Sequence, residues 1–487
     1  MTISLTNSIS ADRRPDSLAP LCVAAATYLL LLFAGDNLLH DPDTLWQIKV
    51  GQWILDQRAV PYTDIYSFSR RGDVWLSTSW LSQLLFAAVY AHWGWTGVVV
   101  LTSIAIASAT AIFFALLQRH LSRAHALLFS LLAIMLAAPH LLARPHVLAL
   151  PVMVAWSGAL MAAADRSKAP SLLLLPLIVL WANLHGGFVL GLALIGPIGL
   201  EALESAAPGR RLALALRWAL FGLASLAASC CTPYGWSSLL AAARILDLGE
   251  SFKVIAEWRS ADFSAFNTFE AALLGLLGLA FYRGLTLSAP RILLILVTMW
   301  MALTHVRSIE TFGILVPLVL AKPLAMRPKA APSEPTANAQ SRWSTVTAFA
   351  ALTVVMAAWA STSIYAARHA FTFSSIQTPI AAVDLLISRR AERVFNSYGF
   401  GGYLITRGVK PFVDGRSELY GEKFLMDFFA AEDARDVDGL LRMLHDYRID
   451  ATLLTADSPA TRVLDHIPGW TRAYADKTAV VHVRTDH

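Results

Sequence analysis

Charge is scarce in this sequence. Only 15% of its 487 residues are Asp, Glu, Lys or Arg, whereas soluble domains usually carry about 25%. Hydrophobic residues make up 56% of the chain, and so few polar residues cannot cover several water-soluble domains. The composition therefore excludes a cytosolic enzyme, a nucleic-acid-binding protein and a secreted disulfide scaffold, and it predicts a polytopic membrane protein.

Cysteine is also scarce. The chain contains Cys22, Cys230 and Cys231, and all of them lie in apolar segments. Their spacing matches neither a disulfide framework nor a metal-binding motif, so they are interpreted as packing residues. The sequence also contains neither a Walker loop nor a G-x-G-x-x-G fingerprint, and these absences argue against nucleotide binding.

Long apolar runs recur through the first three quarters of the chain. A spanning helix needs roughly 20 apolar residues, and runs of that kind predict a transmembrane domain of about 11 spans over residues 1–365. A long first outer loop is expected at about 40–96, and a cationic linker at about 322–342 precedes the last span. Within the first loop, Trp80 to Trp93 is predicted to form a juxtamembrane helix, because its apolar stretch is short and contains polar residues.

The distribution of cations predicts the orientation. Loops rich in Lys and Arg belong on the cytoplasmic side under the positive-inside rule, and they occur at 119–123, 166–168, 210–211, 283 and 322–342. The first loop and the chain after residue 365 then lie on the non-cytoplasmic side. The Ala-, Leu- and Arg-rich composition favours the cytoplasmic (inner) membrane of a bacterium, with a periplasmic or extracellular C-terminal domain.

The pattern of the chain changes after residue 365. Short apolar segments alternate with charged helical ones, which predicts a small soluble α/β domain over residues 366–487. Strands are expected at 393–398, 410–413, 451–454 and 479–483, and helices at 422–429 and 437–447. Glycine turns are expected at 400–405 and 414–416.

Two carboxylates follow the first span, in His40-Asp41-Pro42-Asp43, and an amphipathic segment with two tryptophans comes next. Such a pair at a membrane surface can act as a general base and its electrostatic partner, or it can share a divalent cation such as Mg²⁺ or Mn²⁺. The alternative is that Asp43 only caps the following helix and Asp41 is solvated.

A first span, an outer loop with an acidic pair, juxtamembrane helices and many further spans together resemble the GT-C superfamily of membrane glycosyltransferases. This superfamily includes protein O-mannosyltransferases, aminoarabinose transferases and oligosaccharyltransferases. The resemblance implies a polyprenyl-phosphate-linked sugar donor and a catalytic base at Asp41 or Asp43, with Asp41 favoured because it lies nearer the membrane. The sequence departs from the family in two places: Pro42 separates the acids, and Ser77 to Leu81 stands where some members have His-Pro-Pro-Leu.

Further polar groups interrupt the apolar runs on the same predicted face. Displacement of a polyprenyl phosphate needs positive charge on the leaving phosphate, which arginine can bind through two parallel hydrogen bonds. The candidate phosphate-binding residues are Arg307, His305, Arg144, His146 and Arg259. The candidate sugar- or acceptor-binding residues are Asn183, His185, Glu257, Asp414, Arg416 and Tyr420. Each cationic side chain could instead extend to the lipid headgroups. Asp414, Arg416 and Tyr420 of the C-terminal domain could belong to a plain turn.

Two other functions fit the same pattern. A flippase or transporter of a lipid-linked substrate would line its path with these groups, although no inverted repeat is apparent in the sequence. A surface polysaccharide polymerase or ligase would centre on the outer-loop arginines and histidines. Under each hypothesis the expected partners are a lipid-linked substrate, membrane lipids and a glycan, lipid or protein acceptor, and no nucleic acid is expected.

Overall fold

The structure is a computed structural model that describes residues 18–244, 249–250, 254–325, 345–374 and 378–485. The chain is mostly helical, with a small sheet near its C-terminus. The expected linker at 322–342 lies outside the described residues from residue 326 onwards. Its first four residues belong to the end of a helix.

The part of the chain before residue 370 forms helices α1 to α14. Their bounds are α1 Ala19–Phe33, α2 Asp43–Gln57, α3 Trp80–Gln118, α4 Arg123–Ala137, α5 Pro145–Ala164, α6 Leu175–Leu184, α7 Phe188–Ala193, α8 Ile195–Glu204, α9 Arg211–Ser229, α10 Ser237–Ala243, α11 Thr268–Arg283, α12 Ala289–Thr304, α13 Ser308–Ala325 and α14 Thr345–Arg368.

Among the described residues, six helical segments are long and apolar enough to cross a membrane. They are Trp80–Gln118, Arg123–His140, Pro145–Ala164, Pro208–Ser229, Ser308–Ala325 and Thr347–Arg368. Shorter apolar helices occur at Ala19–Phe33, Leu172–Leu184 and Ala289–Thr304. The multi-pass architecture therefore agrees with the sequence, whereas the expected number of about 11 spans is not confirmed.

The segment expected to be a juxtamembrane helix is continuous with the next span in α3. The helix is interrupted at Gly94, whose φ of 57° and ψ of −145° are non-helical. This break directly follows Trp93, the residue at which the juxtamembrane helix was expected to end. A positive φ is readily adopted by glycine, so Gly94 allows two helical pieces to meet at an angle.

The C-terminal domain is α/β, as expected. Its elements are α15 Ile380–Ser388, β1 Val394–Asn396, α16 Gly401–Thr406, α17 Ser417–Glu432, α18 Val437–Asp446, β2 Ala451–Thr455, α19 Pro459–Leu464, β3 Trp470–Ala475 and β4 Ala479–Arg484. The sheet has the order β1-β2-β4-β3; β1 pairs with β2 in parallel and the other pairs are antiparallel.

Three details of this domain differ from the sequence predictions. Pro411 makes a single bridge to Val394 instead of a strand at 410–413, since proline lacks the amide hydrogen that a ladder needs. The expected turn at 400–405 is largely occupied by α16. Strand β3 was missed because this edge strand is largely exposed and lacks an apolar run.

Helix α2 lies between the membrane part and the C-terminal domain. It packs on α3 so closely that a Cβ at Gly51 would lie 1.9 Å from the carbonyl oxygen of Gln83. On its other side, Trp46 and Val50 share a buried cluster with Ile405 of α16. The first loop therefore joins the two parts of the molecule.

Candidate active site

A cavity of about 500 Å³ lies where the first loop, the membrane helices and the C-terminal domain meet. Six of the residues singled out from the sequence line it: Asp41, Asp43, Arg144, His185, Glu257 and Arg307. These residues come from separate segments of the chain, and the fold brings them to one place. The cavity is therefore the candidate active site.

The acid pair forms the start of α2. The Oδ1 atom of Asp41 accepts a hydrogen bond from the backbone N–H of Asp43, the first residue of α2, at 2.9 Å. The Oδ1 atom of Asp43 accepts one from the indole N–H of Trp46 at 3.0 Å. The side chain of Asp41 is 2% exposed and that of Asp43 is 22% exposed. The alternative of a solvated Asp41 is therefore wrong, and Asp43 is the more accessible acid.

Arg144 binds both acids. Its Nη2 donates to Oδ1 of Asp41 at 2.8 Å and to Oδ2 of Asp43 at 2.7 Å, and its Nε also contacts Asp41. Its Nη1 contacts Glu257. Arg144 is the residue before Pro145, and its extended backbone follows from the steric demand of that proline. Arg144 therefore lies at the N-terminal end of α5.

Arg307 lies at the opposite side of Glu257. Its Nη1 donates to Oε2 of Glu257 at 3.0 Å, and its backbone N–H donates to the Glu257 carbonyl oxygen at 3.2 Å. We call Asp41, Asp43, Arg144, Glu257 and Arg307 the Arg144 cluster. It contains three carboxylates and two guanidinium groups beside a cavity. Burial of charged groups costs desolvation free energy unless they are paired with opposite charges, so such a cluster is retained for stability or for function.

Two carboxyl groups of the Arg144 cluster have displaced pKa values. Burial, assisted by the nearby charge of Glu257, raises the pKa of Asp43 to about 7. Burial would also raise the pKa of Glu257, but the charges of Arg144 and Arg307 outweigh it and lower this pKa to about 2. Asp43 can therefore take up a proton near neutral pH, as a general base must, while Glu257 stays ionised.

The donor set was also compared with the needs of a divalent cation. Among the described residues, no group of three or more His, Cys, Asp and Glu side chains could hold a metal ion. The guanidinium of Arg144 lies between the acids that such an ion would bind. The residues in this arrangement do not fit the divalent cation that the acid pair suggested.

The histidines expected at the site differ in position. His185 lines the cavity, and its Nδ1 accepts a hydrogen bond from the backbone N–H of Gly187 at 3.0 Å. His146 does not line the cavity. Its Nε2 atom lies 3.1 Å from the carbonyl oxygen of His140 and 3.7 Å from the carboxylate of Glu310. His305 does not line the cavity and packs edge-on against Trp258.

Two other expected residues also lie outside the cavity wall. The side chain of Arg259 is exposed, and its backbone carbonyl oxygen accepts a hydrogen bond from Val306. Asn183 is buried, and its amide donates to the carbonyl oxygens of Val179 and Cys231 and accepts from Trp80. These contacts assign Asn183 a packing position.

The three tail residues expected to bind sugar or acceptor form a buried network instead. Arg416 donates to both carboxylate oxygens of Asp414, at 2.8 and 2.6 Å, and to Oδ1 of Asp64 at 2.6 Å. The hydroxyl of Tyr420 donates to Asp414 at 2.8 Å. We call Asp64, Asp414, Arg416 and Tyr420 the Arg416 network. It joins the first loop to the C-terminal domain and none of its members lines the cavity.

Tyr398 and Glu418 are two polar residues of the cavity wall that the sequence reasoning did not single out. Tyr398 follows β1, and burial together with the charge of Asp43 raises its pKa well above the ordinary tyrosine value. Burial raises the pKa of Glu418, which accepts a hydrogen bond from the indole of Trp75 at 3.0 Å. The position of Tyr398 at a strand end was the one signal available.

No family model matches the chain, and no curated protein matches it either. Two solved structures are similar to it. The archaeal oligosaccharyltransferase AglB from Archaeoglobus fulgidus, in complex with an inhibitory peptide and a dolichol-phosphate, has 12% identity and a TM-score of 0.49, covering 90% of this chain and 69% of AglB. ArnT from Cupriavidus metallidurans, bound to undecaprenyl phosphate, has 12% identity and a TM-score of 0.31, covering 96% and 98%.

Proposed function

We propose that this chain is an integral-membrane glycosyltransferase that moves a sugar from a polyprenyl-phosphate donor to an acceptor. The observation that carries the proposal is the Arg144 cluster beside its cavity. It combines a carboxyl group whose pKa is about 7 with two guanidinium groups. Base and phosphate-binding cations are the two components that sugar transfer from a phosphate donor requires.

Asp43 is assigned as the general base in place of the slightly favoured Asp41, because Asp43 is the more accessible acid. Its carboxylate removes the proton of the acceptor as the acceptor oxygen or nitrogen attacks the anomeric carbon. The bond between that carbon and the phosphate oxygen breaks, and the electron pair leaves with the polyprenyl phosphate. Arg307 and Arg144 stabilise the charge that develops on this phosphate, and attack from the opposite face inverts the anomeric centre. Asp41 holds Arg144 and the start of α2.

An apolar cavity supports a lipid-linked donor. It measures about 1230 Å³ and lies between α4, α11 and α13, with residues from Phe312 to Ala325 on its α13 side. Helix α13 begins directly after Arg307, so Phe312 is about 8 Å along the helix from the cluster. The lipid chain of a donor bound at Arg307 would find an apolar surface within reach.

The direction of the helices supports the proposed orientation. Helices α5 and α13 begin at the cavity and end near residues 164 and 325. Arg166 and Lys168 follow the far end of α5, and Lys322 lies in the last turn of α13. The positive-inside rule assigns that end to the cytoplasm, so the cavity and the C-terminal domain would lie on the non-cytoplasmic side.

The test is sugar transfer by purified protein in proteoliposomes that contain polyprenyl-phosphate sugars. We expect Asp43→Asn to lower the transfer rate about 10²–10⁴-fold, because it removes the base. Asp36→Asn is the matched control, since Asp36 is outside the cavity wall and pairs with His369. Full activity of Asp43→Asn would contradict the proposal.

The same assay separates the alternatives. A polymerase or ligase centred on arginine would lose activity in Arg307→Gln and keep it in Asp43→Asn, whereas the proposed transferase needs both residues. A transporter would move the labelled lipid across the vesicle membrane with no new glycosidic bond. Mass spectrometry of the acceptor and a lipid-translocation measurement on the same vesicles distinguish these results.

A further inference from the structure

The C-terminal domain touches the acid pair directly. A Cβ at Gly415 would lie 1.9 Å from Oδ1 of Asp43 and 2.6 Å from its Cγ. A Cβ at Gly402 would lie 2.5 Å from the carbonyl oxygen of Pro42. Both distances are far below van der Waals contact, so a Cβ at either position would displace the acid pair or the backbone that carries the glycine.

The carboxylate of Asp43 therefore has three neighbours that fix it. Trp46 donates to Oδ1 at 3.0 Å and Arg144 donates to Oδ2 at 2.7 Å. The third neighbour is the backbone of Gly415, which lies against Oδ1. The hydrogen bonds to the two oxygens already restrict rotation of the carboxylate about its last bond, and a backbone in contact limits that rotation further.

The turn that carries Gly415 is itself held rigidly. Asp414 and Arg416 flank the glycine, and both are fully buried. Through Arg416 the turn is bonded to Asp64 of the first loop at 2.6 Å, and through Asp414 it is bonded to Tyr420. The Arg416 network thus fixes the wall against which Asp43 rests, although it does not reach the cavity.

We infer that Gly415 is a positioning residue: the C-terminal domain sets the orientation of the Asp43 carboxylate by pressing the backbone of Gly415 against it. This inference rests on the proposed function for the role of Asp43, and it adds that the membrane part lacks a complete site without the C-terminal domain. Gly402 acts in the same way on the backbone of Pro42.

The test is a double-mutant cycle in the full chain. Gly415 has no positive φ, so Gly415→Ala brings no backbone strain, and its effect comes from the added methyl group. We expect it to lower kcat about 10²-fold, as a displacement of about 1 Å does, with a smaller change in KM. We also expect a lower melting temperature. Gly402→Ala, in the first turn of α16, should also lower kcat.

Asp43→Ala is the second substitution of the double-mutant cycle, because it removes the Asp43 atoms that the methyl group of Gly415→Ala would contact. In that background Gly415→Ala should no longer lower the melting temperature. Gly209→Ala is the control, since a Cβ there has no neighbour within 4 Å. It should behave as the parent protein in both measurements.

Two results would overturn the inference: wild-type kcat in Gly415→Ala, or a loss of melting temperature that persists in the Asp43→Ala background. Failure of the proposed function gives a different result. If Asp43→Ala transfers sugar at the wild-type rate, Asp43 is not the base, whereas the melting temperatures still decide whether Gly415 holds this side chain.

Discussion

Two buried arginines of this molecule have nearly the same partners. Arg144 and Arg416 each bind two aspartates, and each links segments that are distant in the sequence. Their surroundings differ. The side chain of Arg144 is 11% exposed and borders a cavity. That of Arg416 is 0% exposed and lies against the rings of Trp75 and Tyr66, at 4.7 and 5.3 Å.

The difference separates a stabilising ion network from a candidate catalytic one. The polar groups of the Arg416 network are bonded to one another, and Asp64 also accepts hydrogen bonds from Tyr66 and Ser67. The network therefore holds the first loop and the C-terminal domain together. The Arg144 cluster has the same kinds of bond, but its open side gives a substrate phosphate access to the guanidinium groups. Bond type does not distinguish the two roles, and access to a cavity does.

The largest expected effect is on stability, from Arg416→Met. This change leaves Asp64 and Asp414 buried without their cation, which costs about 3–5 kcal/mol of unfolding free energy. The measurement is the thermal transition of the detergent-purified protein. Lys423→Met in α17, the helix that follows Arg416, is the control, because its pair with Asp427 is exposed and an exposed helix pair contributes about 0.3–0.5 kcal/mol. Equal thermal transition temperatures for Arg416→Met and Lys423→Met would contradict the assignment of the Arg416 network as a stabilising ion network.

Arg144→Gln should lower activity more than stability, the opposite of what is expected for Arg416→Met. We expect a loss of transfer of about 10²–10³-fold, as for the removal of one preorganised donor at an active site. The loss of melting temperature should be smaller than for Arg416→Met, because water in the cavity can solvate the freed acids. Arg217→Gln, an exposed position in α9, is the control. An active but unstable Arg144→Gln would assign this arginine a stabilising role instead.

The sequence located part of this arrangement. Arg144 before Pro145 and Arg307 between two apolar helices were found because each interrupts an apolar run, and the cavity contains both. Asp414 and Arg416 were expected at a site because they follow a strand-like segment. Asp64, the partner of Arg416, is 352 residues away in the chain, so this pairing could not be inferred from a local sequence pattern. Tyr398 and Glu418 were missed because single polar residues carry no periodic signal.

The rate of transfer should depend on pH through Asp43. Its pKa is raised to about 7, so the base is protonated below this pH and ionised above it. The rate should therefore rise as the pH increases through 7 and fall about tenfold per pH unit well below it. Initial rates between acidic and neutral pH measure this limb. A flat profile across pH 7 would contradict the assignment of Asp43 as the base.

The smallest effect is expected from Tyr398→Phe. This residue lines the cavity from the C-terminal domain, and its raised pKa keeps the hydroxyl protonated as a hydrogen-bond donor. Loss of one neutral hydrogen bond costs about 1 kcal/mol, or roughly a fivefold change in kcat/KM. Tyr403→Phe, outside the cavity wall, is the control. An unchanged kcat/KM in Tyr398→Phe would mean that this hydroxyl does not contact the substrate.

The most direct test of the central claim is a structure of the protein in lipid nanodiscs with added polyprenyl phosphate, the expected leaving group. The Arg144 cluster should bind the phosphate, with a phosphate oxygen about 3 Å from the guanidinium of Arg307 or Arg144. The carboxylate of Asp43 should face the part of the cavity next to the phosphate, where sugar and acceptor would meet. A phosphate bound elsewhere, with the cavity at Arg144 closed to lipid and solvent, would contradict the account.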